Sequence, residues 1–310
     1  MEHAKQHWIP QSYLEAWCDP DTPKGHTPFV WRFARDGSTV HKKAPRKIFY
    51  ENNMYTLHLE DGSRDLSIEH GLSGLENAFI ELRKTKLAES IPFTWEDKLV
   101  ICAFIAAMDS RTQAQRNHWQ SQLGDILKYA DALHDAMMQM EPARRQEIGN
   151  LWLPSSRGQS LSHKELKTLV ESPLQQILIP FIPQATTQLM PMTLSILSTD
   201  VEPGFITSDD PCVWFDSEAY KRPFPHNGPG LAFDTIEITM PVSPQQMALL
   251  SWRPLRSYIR LADDELVDDL NRRTRFYCDE YFIVRRNTTK PIWFDLGQSP
   301  EPDDGVVGTT

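Results

Sequence analysis

The sequence predicts an α+β fold in which helices, one of them long, central and buried, pack on an antiparallel sheet. Three observations carry that expectation. Over residues 65–88, Ile68, Leu72, Leu75, Phe79 and Leu82 recur at alternating spacings of four and three, the mark of an amphipathic helix. Leu99 to Met108 is an unbroken apolar run, so the helix that carries it is buried on nearly every side. From Thr193 the pattern changes to the alternation of strands.

The elements follow in order. Residues 8–18 place Trp8, Ile9, Tyr13, Leu14 and Trp17 at helical spacing, with His7 just ahead and Pro10 tolerable in a first turn. Residues 28–34 read as a strand, and Arg35-Asp36-Gly37-Ser38 is a hairpin turn signal. A second extended piece runs from Tyr50 to Leu59, with Asp61-Gly62 as the next turn. Thr94, with Asp97 three residues on, caps a helix expected to continue to Leu127 or beyond. Residues 128–150 stay polar and helical, Pro154 to Ser160 is a loop, and 163–180 is a further helix. Strands are expected at Thr193–Thr199, Phe205–Thr207, Thr235–Met240, Met247–Trp252 and Tyr281–Arg285. Asp263 to Arg275 is a helix with acidic residues early and basic residues late, as its dipole favours. Residues 1–296 are expected to form one domain. It would have a hairpin and helical half to about 180 and a strand-rich half from about 190 to 290. A flexible acidic tail over 297–310 would follow.

Composition sets limits on function. A chain of 310 residues, 40% hydrophobic and 24% charged, has material for a full core, including nine Trp and fourteen Phe. A net charge of −10 argues against indiscriminate polyanion binding and leaves room for a local basic patch. Cys18, Cys102, Cys212 and Cys278 are scattered without a zinc or redox spacing, which suits a reducing cytoplasm. The run Leu99–Met108 is about half the length of a membrane helix, so no membrane association is expected. Phosphate loops, zinc-protease, serine-hydrolase and kinase motifs are missing, as are metal ligands at diagnostic spacing. The simplest enzyme would therefore use acid–base chemistry with no metal and no cofactor.

Several polar residues stand out. His7 and Gln11 are four apart and share a face if the turn is helical, either to grip a polar ligand or to anchor the helix. Glu76 lies inside an apolar stripe, where a carboxylate is costly unless paired. It is a candidate general acid or half of a buried ion pair, and Glu69 falls on the same side. Arg111 follows the buried run and needs an anionic partner: Glu76, Asp209 or a phosphate. On a continuous helix it would share a face with Gln115, His118, Phe104 and Met108. Ser208 and Asp209 end a strand before Pro211, where Asp209 either activates water or forms an Asx turn. Arg32, Arg35, Lys42, Lys43, Arg46 and Lys47 lie among Phe29, Trp31, Phe33 and Phe49. That combination suits a phosphate backbone and a splayed base, or else a solvated hairpin face.

The opening His7-Trp8-Ile9-Pro10-Gln11-Ser12-Tyr13-Leu14 resembles the signature of a bacterial family, domain of unknown function 4238. Asn53-Met54-Tyr55-Thr56, Glu76, Ser110-Arg111-Thr112, Ile206 to Pro211, Pro241 to Pro244 and Asn271 resemble its later elements. Asp210 departs from the Asn more usual there. The resemblance implies that His7, Gln11, Asn53, Glu76, Arg111, Ser208 and Asp209 converge on one pocket. It also implies a role in defence against phage. The chain is similar as well to an anti-phage DNA glycosylase that removes glucosylated hydroxymethylcytosine. On that similarity the protein is expected to be an N-glycosylase that leaves abasic sites in phage DNA. Asp209, then Glu76, would stabilise charge on the sugar or activate water, and His7 or Arg111 would stabilise the leaving base. Gln11, Asn53, Tyr55 and Ser208 would contact substrate, and the basic segment would track phosphates. The alternatives are a nuclease or RNase effector of a defence system and a non-enzymatic sensor of a phage ligand.

Overall fold

A computed structural model describes residues 5–59, 61–151 and 163–295. The first third holds β1 (Lys5–His7), α1 (Gln11–Leu14), β2 (Val30–Ala34), β3 (Val40–Lys43), β4 (Tyr50–Asn52), β5 (Leu57–His58) and β6 (Arg64–Asp65). Helices follow: α2 (Ser67–Leu82), α3 (Trp95–Ser110), α4 (Gln113–Met138), α5 (Pro142–Leu151), α6 (His163–Glu171) and α7 (Pro173–Leu189). The last part holds β7 (Thr193–Thr199), β8 (Thr207–Ser208), β9 (Val213–Asp216), β10 (Ile236–Ser243), β11 (Gln246–Ser251), β12 (Tyr258–Leu261), α8 (Asp264–Tyr277) and β13 (Tyr281–Val284). The fold class is α+β, as the periodicities predict. The expected loop over Pro154–Ser160 and tail over 297–310 lie outside the described residues. No helix among the described residues is long and apolar enough to cross a membrane.

The chain divides into two compact units whose segments interleave. The first draws on Met1–Pro10, Phe49–Leu82 and Phe93–Pro191; the second on Gln11–Ile48, Arg83–Pro92 and Met192–Thr310. This differs from a helical half followed by a strand-rich half. The early hairpin β2–β3 joins the late strands, because β2 pairs with β13.

The first unit is mostly helical. The α2 stripe buries Ile68, Leu72, Phe79 and Leu82. Phe79 stacks on Phe104 of α3 at 3.8 Å, and α3 buries Ile101, Cys102 and Phe104 to Met108. Helix α3 packs against α2 and α7. Its start is the expected capping box: Thr94 Oγ1 accepts the Asp97 N–H, and the Asp97 carboxylate accepts the Thr94 N–H. The expected single helix through Leu127 is interrupted. Helix α3 ends at Ser110, whose hydroxyl bonds back to the Ala106 carbonyl at 2.7 Å. Thr112 then caps α4 by accepting the Gln115 N–H, which leaves Arg111 in the break. Strand β1 replaces the expected helical lead-in at His7, pairing antiparallel with β4.

The second unit holds two sheets, of order β12-β7-β11-β10-β9 and β3-β2-β13-β8. The first is mixed, because β12 runs parallel to β7. Helix α8 packs on strands of both sheets. One core cluster gathers Phe33, Ile206, Cys278, Phe282, Val284 and Trp293, and another Leu197, Phe205, Met247, Leu261, Val267 and Leu270. Asn271, fully buried on α8, donates to the Gly204 carbonyl and accepts the Ile206 N–H. Gly204 has φ +82°, and a Cβ there would meet the Pro244 carbonyl oxygen at 2.1 Å, so only glycine fits.

Candidate functional site

In the first unit, strand β1 turns Gln6 inward, where it is fully buried. Its amide donates to Thr56 Oγ1 at 3.0 Å and accepts the Tyr55 N–H at 2.6 Å. These two bonds hold the Asn53–Thr56 turn. Asn53 sits at φ +60°, a left-handed conformation that asparagine tolerates better than most residues. Its side-chain oxygen accepts from Arg64 at 2.6 Å. Tyr55 is fully buried, and its hydroxyl donates to the Arg111 carbonyl at 3.5 Å. Burial raises the Tyr55 hydroxyl pKa, and the nearby Arg111 charge opposes that rise.

Arg111 is 1% exposed and meets Glu76 Oε1 at 2.6 Å. The sequence allowed Glu76, Asp209 or a phosphate as its partner; the ion pair with Glu76 is formed. A second Arg111 nitrogen lies 3.2 Å from Met108 Sδ, and its Nε has no acceptor among the described residues. Because the helix breaks at Arg111, the expected face shared with Gln115 and His118 is not continuous.

The first unit also carries a polar cleft of about 300 Å³. Its lining includes Glu51, Asn53, Arg116, Gln120, Glu171 and Gln175. Arg116 bonds Glu51 Oε2 at 2.6 Å, and Gln175 donates to the Met54 carbonyl at 2.8 Å. The cleft suits a ligand the size of a base or sugar that offers both donors and acceptors.

His7, Gln11, Ser208 and Asp209 are not among the residues that line this cleft. His7 is on a strand, with its ring 5.5 Å from that of Tyr50, so it does not share a helical face with Gln11. Gln11 belongs to the second unit, is exposed, and donates to Glu15 at 3.3 Å. Ser208 and Asp209 also belong to the second unit. Ser208 Oγ accepts the Asp210 N–H at 3.2 Å. Asp209 is 6% exposed, and its carboxylate accepts the backbone N–H groups of Asp279, Glu280 and Tyr281 at 2.8 to 2.9 Å. Burial outweighs those three donors and pushes its carboxyl up to about 6.

The basic segment separates into three settings in the second unit. Lys42, Lys43, Arg46 and Lys47 line a cleft of about 310 Å³ with Thr27 and Phe29. Lys42 Nζ lies 4.7 Å from the Phe29 ring centre and 4.8 Å from that of Trp31. None of the four cations has an ion-pair partner among the described residues. Arg32 instead stacks at 4.0 Å over Tyr281, and Arg35 lines a different cleft with Arg275.

Sequence reasoning missed Gln6, Glu51, Arg64 and Arg116. Gln6 was legible only if residues 5–7 were read as a strand with its middle residue inward. Glu51 pairs with Gln6 across β1 and β4, a long-range register that local spacing does not encode. Among the described residues no three His, Cys, Asp or Glu side chains cluster so as to hold a metal ion.

The family model for a protein of unknown function, DUF4238, matches residues 5–289, and the chain belongs to that family. It has no significant match among curated proteins or among solved structures.

Proposed function

We propose that the protein is a DNA-directed hydrolase, an N-glycosylase that excises a modified base and leaves an abasic site. The observation that carries this reading is the cleft of Lys42, Lys43, Arg46 and Lys47. Four cations without carboxylate partners among the described residues line it with Phe29, and Lys42 lies against the rings of Phe29 and Trp31. Unpaired cations favour a polyanion through counterion release, and aromatic faces accept unstacked bases. The glucosylated base as substrate rests on the similarity to the phage-defence glycosylase.

In this reading the polar cleft of the first unit receives the extruded nucleotide. Water adds to C1′ of the sugar as the bond from C1′ to the base nitrogen breaks, and the departing base takes up a proton. Glu51 carries the role first given to Asp209 and Glu76: two carboxylates line the cleft, Glu51 and Glu171, and Glu51 is the one that Arg116 holds in place. It stabilises positive charge on the sugar, while Asn53 and Gln120 bond the base or its substituent. Asp209 brackets the backbone instead.

The test is base release from DNA carrying glucosylated hydroxymethylcytosine, read by mass spectrometry and by alkali-labile abasic sites. Glu51→Gln is expected to slow release roughly 100-fold or more with DNA affinity retained. Reversing the charge of Lys42, Lys43, Arg46 and Lys47 together is expected to weaken DNA binding. The slope of log affinity against log salt should become shallower by about one for each DNA phosphate that the variant no longer neutralises. Strand scission without base release would sink the glycosylase assignment, and unchanged DNA affinity would sink the role of the basic cleft.

One observation favours a second reading, a sensor without chemistry. Glu51, Glu76 and Asp209 all have protein partners, as in a binding site held rigid. Protection of cells by Glu51→Gln at the wild-type level would select this reading.

A further inference from the structure

Arg35 and Arg275 form the most unusual charge arrangement in the second unit. Arg275 belongs to the last turn of α8 and is 7% exposed. Its Nε donates to the Trp293 carbonyl at 2.9 Å, and Nη1 approaches the Arg35 carbonyl at 3.5 Å. Its Nη2 is buried with no acceptor among the described residues. Arg35 Nη2 donates to the Phe276 carbonyl at 2.6 Å. Neither guanidinium has a carboxylate partner among the described residues, and both line one cleft of about 480 Å³.

A buried guanidinium beside a second cation is costly unless an anion neutralises it. The α8 carbonyl end compensates only part of a unit charge. Two carboxylates line the same cleft. Asp36 is engaged in its own turn, where its carboxylate accepts the Ser38 hydroxyl and, at Oδ1, the Ser38 N–H at 2.9 Å. Glu280 is an exposed side chain whose backbone carbonyl accepts the Arg35 N–H at 2.8 Å. Burial lowers the Arg275 pKa, Cys278 opposes that, and the neighbouring Arg35 charge adds to it. The geometry around this pair is built. The rings of Phe276 and Phe294 lie 5.8 and 5.1 Å from the Arg35 and Arg275 guanidinium carbons. Gly37 leaves no room for a side chain, since a Cβ there would come within 2.7 Å of the Phe294 ring.

We infer that Arg35 and Arg275 bind a phosphoryl group. The carbonyl bonds hold both guanidinium groups in place, and their remaining N–H groups are charge-assisted donors for the oxygens of a tetrahedral anion. This site is separate from the basic cleft of Lys42, Lys43, Arg46 and Lys47 and does not depend on DNA being the substrate.

Calorimetric titration with inorganic phosphate and with adenosine 5′-monophosphate, at constant ionic strength, tests the site. Wild type is expected to bind inorganic phosphate. Arg35→Gln, at an exposed position, should weaken binding at least tenfold while the thermal transition without phosphate stays in place. Arg275→Lys keeps a charge but loses the fork, so it too should weaken binding, with Arg35→Gln covering the case in which it fails to fold. Equal affinity for both probes identifies a site that reads phosphate alone, and tighter binding of the nucleotide identifies a nucleotide phosphate; either supports the inference. The quadruple charge reversal in the basic cleft should leave phosphate affinity unchanged, so loss of the DNA reading leaves this one standing. No phosphate binding by wild type, or equal binding by Arg35→Gln, overturns it.

Discussion

Glu76 in the first unit, part-buried, and Asp209 in the second, buried, are neutralised in opposite ways. Glu76 meets a full positive charge, the guanidinium of Arg111, which is itself 1% exposed. Asp209 meets no cation at bonding distance; three backbone N–H groups share its charge. The difference teaches that a buried carboxylate is not by itself a sign of catalysis. A guanidinium partner makes the two residues one electrostatic unit. A backbone clamp makes the carboxylate a fastener that fixes the turn between α8 and β13.

Three measurements bear on that comparison, the largest effect first. Glu76→Ala strands the buried Arg111 charge and should cost about 3–5 kcal/mol in urea denaturation. The double change Glu76→Met with Arg111→Met should recover most of that loss, because both desolvated charges leave together. A cost under about 1 kcal/mol for the single change would mean that Arg111 has other compensation and that the contrast is false.

Asp209→Ala leaves three backbone N–H groups without their acceptor and should cost about 2–3 kcal/mol. Asp209→Asn keeps one acceptor oxygen and should fall between wild type and Asp209→Ala. If the two variants are equally stable, the clamp is not what holds the turn.

A comparable effect, read over a pH window, is in pH dependence. The Asp209 carboxyl is pushed from an ordinary 3.8 up to about 6 in the folded protein. The folded state therefore holds a proton that the unfolded state has already lost between those values. This contribution to stability is complete below about pH 3.8 and is lost as pH rises through about 6. Asp209→Asn should remove that component, so the difference between wild-type and variant thermal profiles should change between pH 4 and 6.5. A constant difference across that range would mean that the three N–H donors outweigh burial.

Legibility in the sequence followed the range of the interactions. The α2 stripe, the Thr94–Asp97 capping box, the Arg35–Ser38 hairpin turn and α8 all arise within a few residues, and each is where spacing put it. Strands β1, β9 and β12 were not foreseen, because each is defined by a distant partner rather than by its own pattern. The break at Arg111 lacks Gly or Pro, and good helix formers follow it, so only Thr112 as a cap marks it. For the site, the Glu76–Arg111 pairing was among the options that burial allowed. The assignment of Glu51 required the β1–β4 register, and the partition of polar residues between two units required the whole topology. Residues that resemble the family pattern, such as Asn271 and Tyr13, act as brackets: Tyr13 donates to the Pro241 carbonyl at 2.7 Å and lies 2.8 Å from Thr207 Oγ1.

The interleaving of the units bears on how the protein is made. The chain passes between units at Pro10/Gln11, Ile48/Phe49, Leu82/Arg83, Pro92/Phe93 and Pro191/Met192. During synthesis the first unit has all its segments once Pro191 is out of the ribosome. The hairpin β2–β3 must wait for β13, which begins at Tyr281, about 240 residues later. At about 5–20 residues per second, that strand edge stays unpaired for roughly 10–50 seconds. A chain that stops between Lys43 and Tyr281 carries the β2 edge without its β13 partner, and an unpaired strand edge is a template for aggregation.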